Sequence, residues 1–223
     1  MQQTPVHFQH NPDLLKLMGI DSRKILEVGC SSGALAREFK KIAQQSQYYG
    51  VEIDSDYAEL ARKYCDKVYT VNIDEAPDYF WDLNSDVDGW IFGDTLEHLK
   101  DPWKVLSNIK NVIPDDGYVA ACIPNAQHWS VQARLATGNF LYEENGLMDK
   151  THLRWFTKKT IFDLFNVCGF QIIEFHPRIF NEDINENILS AIGKLANAFG
   201  EDEKMAMMEA LPLQYVVKAV PIR

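Results

Sequence analysis

Cysteine is scarce and unpaired in this sequence. Cys30, Cys65, Cys122 and Cys168 are its four thiols among 223 residues. They form no CxxC pair and no spacing of metal ligands, so free thiols in a reducing compartment are expected. No apolar run approaches the roughly 20 residues needed to cross a bilayer. The opening Met1-Gln2-Gln3-Thr4-Pro5 lacks the basic start and apolar core of a secretion signal. A cytoplasmic protein without a membrane partner is the expectation. Positive charge is in deficit: 22 Lys and Arg stand against 32 Asp and Glu, a formal net charge of -10. Proteins that hold a phosphate backbone usually show a basic face, so nucleic acid is not an expected partner. Phosphate loops are missing too. No Walker-type GxxxxGK(S/T) occurs, and Gly29 is followed by Ser31, Ser32 and Gly33 where a dinucleotide fingerprint would carry GxGxxG. Nucleotide hydrolases and nicotinamide dehydrogenases are disfavoured accordingly. Internal repeats and low-complexity tracts are also absent.

What is present is a regular alternation of strand and helix patterns, in a length that suits one sizeable core rather than two. After an entry segment through about Gly19, strands are expected at Lys24 to Val28, Tyr48 to Ile53, Val68 to Ile73, Val87 to Phe92 and Tyr118 to Ile123. Helices follow at Ala34 to Ile42, from an N-cap at Ser55 to Tyr64, and from the Asp101-Pro102 cap pair to Val112. Residues 125–156 then break the rhythm with a long, aromatic and polar stretch, the kind of segment that becomes a lid or binding element. Thr157 caps a helix through Val167, Phe170 to Ile179 forms a sixth strand, Asn185 to Met208 reads as helical, and Leu213 to Val220 is a last strand. Such alternation implies an α/β fold, a mostly parallel sheet with helices on both faces.

The segment Ile25 to Gly33, Ile-Leu-Glu-Val-Gly-Cys-Ser-Ser-Gly, is the most informative one. A buried strand ends in a carboxylate and a Gly-containing turn, and a helix opens behind it, a geometry that lets backbone approach a nucleotide-like ligand. With Gly50-Val51-Glu52-Ile53-Asp54, Asn72-Ile73-Asp74 and Gly93-Asp94-Thr95-Leu96-Glu97-His98-Leu99-Lys100-Asp101-Pro102 at the ends of successive strands, it resembles the class I S-adenosylmethionine (SAM) dependent methyltransferases over roughly Lys24 to Val220. The resemblance implies a three-layer Rossmann-like sandwich whose seven-stranded sheet is mostly parallel, with the last strand antiparallel between the fifth and sixth. It implies SAM as cofactor. Glu27, Gly29, Cys30 and Gly33 would wrap its methionine end, Glu52 would accept the ribose hydroxyls, Ile53 would pack on adenine, and Asp74 would lie near the adenine amino group. Asp94 and Thr95 would flank the amino-acid end. Ser31 in place of a middle glycine is a departure that the family tolerates.

Methyl transfer from a sulfonium is an in-line displacement, so positioning does most of the work. An oxygen acceptor of high pKa gains from a general base. The candidate bases are His98, His128 and His152, with His152 and His98 as the catalytic candidates; no single residue is selected. Asp149-Lys150-Thr151-His152-Leu153-Arg154-Trp155-Phe156-Thr157 resembles a stretch found after the fifth strand in a subset of these enzymes, some associated with sugars or cell-surface polysaccharides. It makes His128, Arg154 and Trp155 substrate-binding candidates. The alternative is that Asp149, His152 and Arg154 form an ion-pair network pinning the segment to the domain. No Asn-Pro-Pro-Tyr type motif follows the fourth strand, which favours a small-molecule or sugar acceptor over DNA or RNA. No carboxylate cluster calls for a metal, and none is expected.

The expectation is therefore a single methyltransferase domain over residues 1–223, with a lid or substrate insertion at about 125–156, acting on a small-molecule or sugar-containing acceptor, at oxygen. A second reading stays open: a non-catalytic SAM-binding or interaction module, a domain cut from a larger protein. The apolar stripe Leu189, Ile192, Leu195, Ala196 and Phe199 is expected to pack on the sheet or lid, with a homodimer surface as the alternative.

Overall fold

The computed structural model describes residues 4–180 and 184–223. Residues 1–3, where the stretch without a secretion signal begins, and residues 181–183 lie outside the described residues. Seven strands form one sheet: β1 (Lys24–Val28), β2 (Gln47–Glu52), β3 (Lys67–Thr70), β4 (Gly89–Gly93), β5 (Tyr118–Pro124), β6 (Phe170–Arg178) and β7 (Gln214–Pro221). Their order is β3-β2-β1-β4-β5-β7-β6. The first five pair in parallel, and β7 runs antiparallel to both β5 and β6. Helices α1 (Pro12–Leu17), α2 (Ala34–Ile42), α3 (Ser55–Ala61), α4 (Asp78–Asp82), α5 (Pro102–Val112), α6 (Trp129–Ala136), α7 (Lys158–Val167), α8 (Glu186–Ala198) and α9 (Glu203–Glu209) complete the described elements.

Successive strand residues point to opposite faces, so each buried strand feeds two cores. Leu26, Val28, Trp90 and Phe92 enter one, with Val119, Ala121 and Val217. Ile25, Tyr48 and Ile91 enter the other, with Ala120, Cys122 and Val216. The result is the expected three-layer α/β sandwich. Among the described residues no helix is long and apolar enough to cross a membrane.

Several boundaries differ from expectation, each for a local hydrogen-bonding reason. The cap of α3 is Asp54 rather than Ser55, because Asp54 Oδ1 accepts from the amides of Asp56 and Tyr57 at 2.9 and 3.1 Å. Strand β3 stops at Thr70, since Asn72 caps a short 3-10 turn at Ile73–Glu75 by accepting from the Asp74 amide. The helical stretch expected over 185–208 divides in two. Gly200, with φ 83°, ends the first part, and Asp202 caps α9 through the Met205 amide at 2.7 Å. The apolar stripe splits with it: Leu189 and Ile192 pack with Ala210, whereas Leu195 and Phe199 are exposed. The segment 125–156 is not irregular throughout, for His128 caps the two turns of α6.

Candidate functional site

A cavity of about 370 Å³ opens at the C-terminal ends of β1, β2 and β4, where open α/β sheets place ligands. Its first wall is the turn between β1 and α2. Gly29 and Ser31 lie there with φ 75° and 47°, and the amides of Gly29 and Cys30 both donate to the Val51 carbonyl, at 2.8 and 3.1 Å. The two glycines expected to leave room for a ligand leave it for the protein instead. A Cβ on Gly29 would stand 2.7 Å from Thr95 Oγ1, and one on Gly33, also at φ 75°, would stand 3.0 Å from the Ala61 backbone. Gly33 and Cys30 do not line the cavity. The Cys30 thiol is buried beside Cys65, which together with burial pushes its pKa up.

Glu27 lies beneath this turn, buried, accepting a hydrogen bond from the Tyr48 hydroxyl at 2.9 Å. Burial, with a smaller push from the Glu52 charge, raises its pKa to about 8. Glu52, at the end of β2, is on the cavity wall. Its carboxylate is oriented by the amides of Ser31, Ile53 and Asp54, at 2.8, 2.8 and 3.0 Å. Ile53 is on the wall and half-exposed. Asp74 also lines the cavity, but its oxygens accept from the amides of Lys100 and Asp101, so it ties two loops together.

The turn after β4 supplies the next wall. Asp94 holds a left-handed φ of 52°, a strained conformation for a non-glycine residue. Its carboxylate accepts from the Gln214 amide group, and burial raises its pKa. Thr95 Oγ1 donates toward the carbonyls of Val28 and Gly93, at 3.0 and 3.2 Å, locking this turn to the first.

Segment 146–153 closes the far end. The amides of Leu153 and Arg154 donate to the Glu97 carbonyl, at 2.8 and 2.9 Å. That pairing brings His152 to His98, their rings in T-shaped contact with centroids 4.8 Å apart. Glu97 is buried between them, and burial holds its carboxyl well above the usual range. Burial pushes His152 down to about 4 and lowers His98 as well, so both rings are neutral at pH 7.

Of the sequence-derived residues, Gly29, Glu52, Ile53, Asp74, Asp94, Thr95, His98 and His152 line one cavity. The substrate-binding trio does not. His128 is buried as the α6 cap, its Nδ1 2.8 Å from Ser130 Oγ. The Arg154 guanidinium turns outward to the Lys100 carbonyl and over the Trp103 ring at 5.8 Å, in place of the ion pair with Asp149 that the sequence allowed. Trp155 stacks edge-on behind His152 at 5.8 Å. Residues that the sequence did not single out also contribute. Thr4, Pro5 and His7 cover the mouth, and Glu97 and Gln214 form part of the wall. Nor did the linear pattern show that Glu97, His98 and His152 converge.

Comparison with known proteins gives the family and the fold. Residues 8–174 match the family model described as a methyltransferase domain, and the chain belongs to the class I SAM-dependent methyltransferase family. Among curated proteins no sequence matches the chain. Among solved structures, it is similar to a SAM-dependent methyltransferase of Thermotoga maritima, described as a possible histamine N-methyltransferase. That likeness has a TM-score of 0.60 and 18% identity, over 93% of this chain and 86% of that one. It is similar to the plantazolicin methyltransferase BpumL bound to S-adenosylhomocysteine (SAH), with TM-score 0.60 and 13% identity over 91% and 77% of the two chains. The magnesium protoporphyrin IX methyltransferase of Synechocystis PCC 6803, also bound to SAH, gives TM-score 0.59 and 12% identity over 94% and 79%. At these identities the likeness is one of fold.

Proposed function

We propose that the cavity holds SAM and that the chain transfers its methyl group to an oxygen of a small-molecule or sugar-containing acceptor. The observation that carries the cofactor assignment is the charge of the walls. Glu52, Asp74, Asp94 and Asp149 line the cavity, with Lys100 as the one Lys or Arg on it among the described residues. Such a site disfavours phosphates and suits a ligand with a sulfonium and an ammonium group. In this reading Glu52, already oriented by three amides, accepts the ribose hydroxyls. Ile53 lies on adenine, Asp74 stands near its amino group, and Asp94 with Thr95 borders the amino-acid end. Glu27, protonated at neutral pH, backs the methionine end from beneath the turn as an uncharged group. Gly29 and Gly33 shape the turn, and Cys30 packs beneath it.

The acceptor enters beside segment 146–153, and residues 125–156 act as its lid within one domain spanning 1–223. Oxygen is favoured because this end carries two neutral imidazoles and a buried carboxylate. A hydroxyl of high pKa needs such help to lose its proton, whereas an amine does not. The test is SAH release from SAM in the presence of matched hydroxyl-bearing and amine-bearing acceptors, sugars included. Turnover with hydroxyl acceptors is expected. Turnover with amines alone would refute the choice of atom, and none with any acceptor would favour a non-catalytic SAM-binding module.

A further inference from the structure

Three electron-pair donors converge at the acceptor end of the cavity: a Glu97 carboxylate oxygen and one nitrogen each of His98 and His152, all within 4.8 Å of one another. Both Nε2 atoms stand 3.9 Å from the same oxygen, Oε1 of Glu97, too far for hydrogen bonds. Glu97 is 1% exposed, and neither of its oxygens has a hydrogen-bond partner among the described residues. A buried carboxylate left in that state is costly, and folded proteins rarely keep one. A single proton satisfies two facing donors at most. A cation about 2.0–2.2 Å from each ligand satisfies all three, and requires the 3.9 Å pairs to close by roughly half an ångström.

The surroundings prepare the imidazoles for that role. Nδ1 of His98 lies 3.0 Å from Thr151 Oγ1 and 3.2 Å from the Thr151 carbonyl. The Thr151 hydroxyl donates its own proton to Asp149 Oδ1 at 2.6 Å. Both threonine oxygens therefore act as acceptors toward His98, whose Nδ1 carries the proton while Nε2 keeps its lone pair toward Glu97. Fixing a histidine through its second nitrogen is how outer groups orient metal ligands. His152 is braced by the edge-on Trp155 ring.

We propose that Glu97, His98 and His152 form a binding site for a divalent first-row transition cation at the acceptor end of the cavity. Two imidazole nitrogens and one carboxylate suit Mn²⁺, Co²⁺ or Zn²⁺ better than Mg²⁺ or Ca²⁺, which prefer oxygen shells. All three side chains line the cavity, so the remaining coordination positions face the space for the acceptor. A positive charge there favours ionisation of an acceptor hydroxyl, whose proton leaves to solvent. The oxygen then bonds to the methyl carbon, and the sulfur keeps the electron pair of the broken bond. This role rests on the function proposed above; binding of the ion does not.

The test uses the full chain, stripped with a chelator and titrated with Co²⁺ by visible absorption and with Zn²⁺ by calorimetry. One equivalent of each is expected to bind, with Kd raised about tenfold or more in Glu97→Gln and in His152→Gln. His176→Gln, which removes an exposed histidine on β6, is expected to bind as the wild type does. Absence of stoichiometric Co²⁺ binding, or binding unchanged in both site variants, overturns the proposal. Circular dichroism shows whether the variants are folded. If either is not, a wild-type crystal soaked in Mn²⁺ decides: anomalous density is expected between the three side chains, and its absence there contradicts the site. Neither titration contains SAM, so failure of SAH binding with Co²⁺ binding intact counts against the cofactor reading alone.

Discussion

Glu27 is a carboxyl group in the middle of a strand that is otherwise buried on both faces. Its only hydrogen-bond partner among the described residues is the Tyr48 hydroxyl, which is too little to keep a charge there, and burial raises its pKa from 4.5 to about 8. The raised value means that the folded state holds the proton more tightly. The resulting stability is fully present below pH 4.5 and is lost as the pH rises through about 8. Glu27→Gln keeps the shape of the protonated group. It is expected to match the wild type in urea denaturation at pH 5 and to exceed it at pH 9 by a few kcal/mol, on the order of 1.4 kcal/mol for each tenfold difference in proton affinity between the folded and unfolded chain. Equal stability at both pH values would contradict this assignment. The sequence marked Glu27 as an acid at a strand end but gave no sign of its charge state, which depends on Tyr48 and Glu52 on the neighbouring strand. Gly29 and Gly33 show the same limit. Their place in a turn that a Cβ would crowd was legible, but what occupies the space beside them, Thr95 and Ala61, was not.

At the scale of elements, the succession of strands and helices and most helix caps followed from local pattern, because apolar periodicity and cap chemistry act within a few residues, whereas the place of β7 between β5 and β6 was implied by the family resemblance. Asp101 caps α5 and Thr157 caps α7, as expected. Segment 125–156 was less legible, since its conformation depends on partners distant in sequence. Asn125 is fully buried at its start. Its Nδ2 donates to the carbonyls of Glu209 and Pro212 at 2.9 and 2.8 Å, and its Oδ1 accepts from the Gln127 amide. This one side chain joins the end of β5 to the approach of β7, which carries Gln214 to the cavity. Asn125→Ala strands those buried groups and is expected to destabilise the fold by about 2–4 kcal/mol, measured by the urea midpoint. A loss below about 0.5 kcal/mol, the level of an ordinary surface substitution, would show that the bridge is dispensable. Arg154 and Trp155 illustrate the converse. Their residue types suit a ligand, but the pairing of Leu153 and Arg154 with the Glu97 carbonyl turns both side chains away from the cavity and His152 into it.

The whole molecule assembles its cavity from the first residues to nearly the last. Residues 4–8 form a strap over the mouth: the Ser32 hydroxyl donates to the His7 carbonyl at 2.6 Å, Tyr57 donates to the Thr4 carbonyl, and Thr4 donates to Asp149. Nothing in the strap's own pattern distinguishes it from an ordinary entry segment, because every one of these partners lies far along the chain. Removal of residues 1–8 is expected to weaken SAH binding roughly tenfold, about 1.4 kcal/mol, with the urea midpoint little changed. Unchanged affinity would mean that the strap covers the cavity without touching the ligand. The central claim is that the acid-lined cavity at the strand ends holds the methyl donor, with Glu52 as the ribose acceptor. Calorimetric titration with SAH tests it most directly. The account predicts saturable one-to-one binding by the wild type, weakened by roughly two orders of magnitude in a folded Glu52→Ala variant, as expected when charge-assisted hydrogen bonds are removed. Wild-type affinity in that variant, or no binding to the wild type at millimolar SAH, would contradict it.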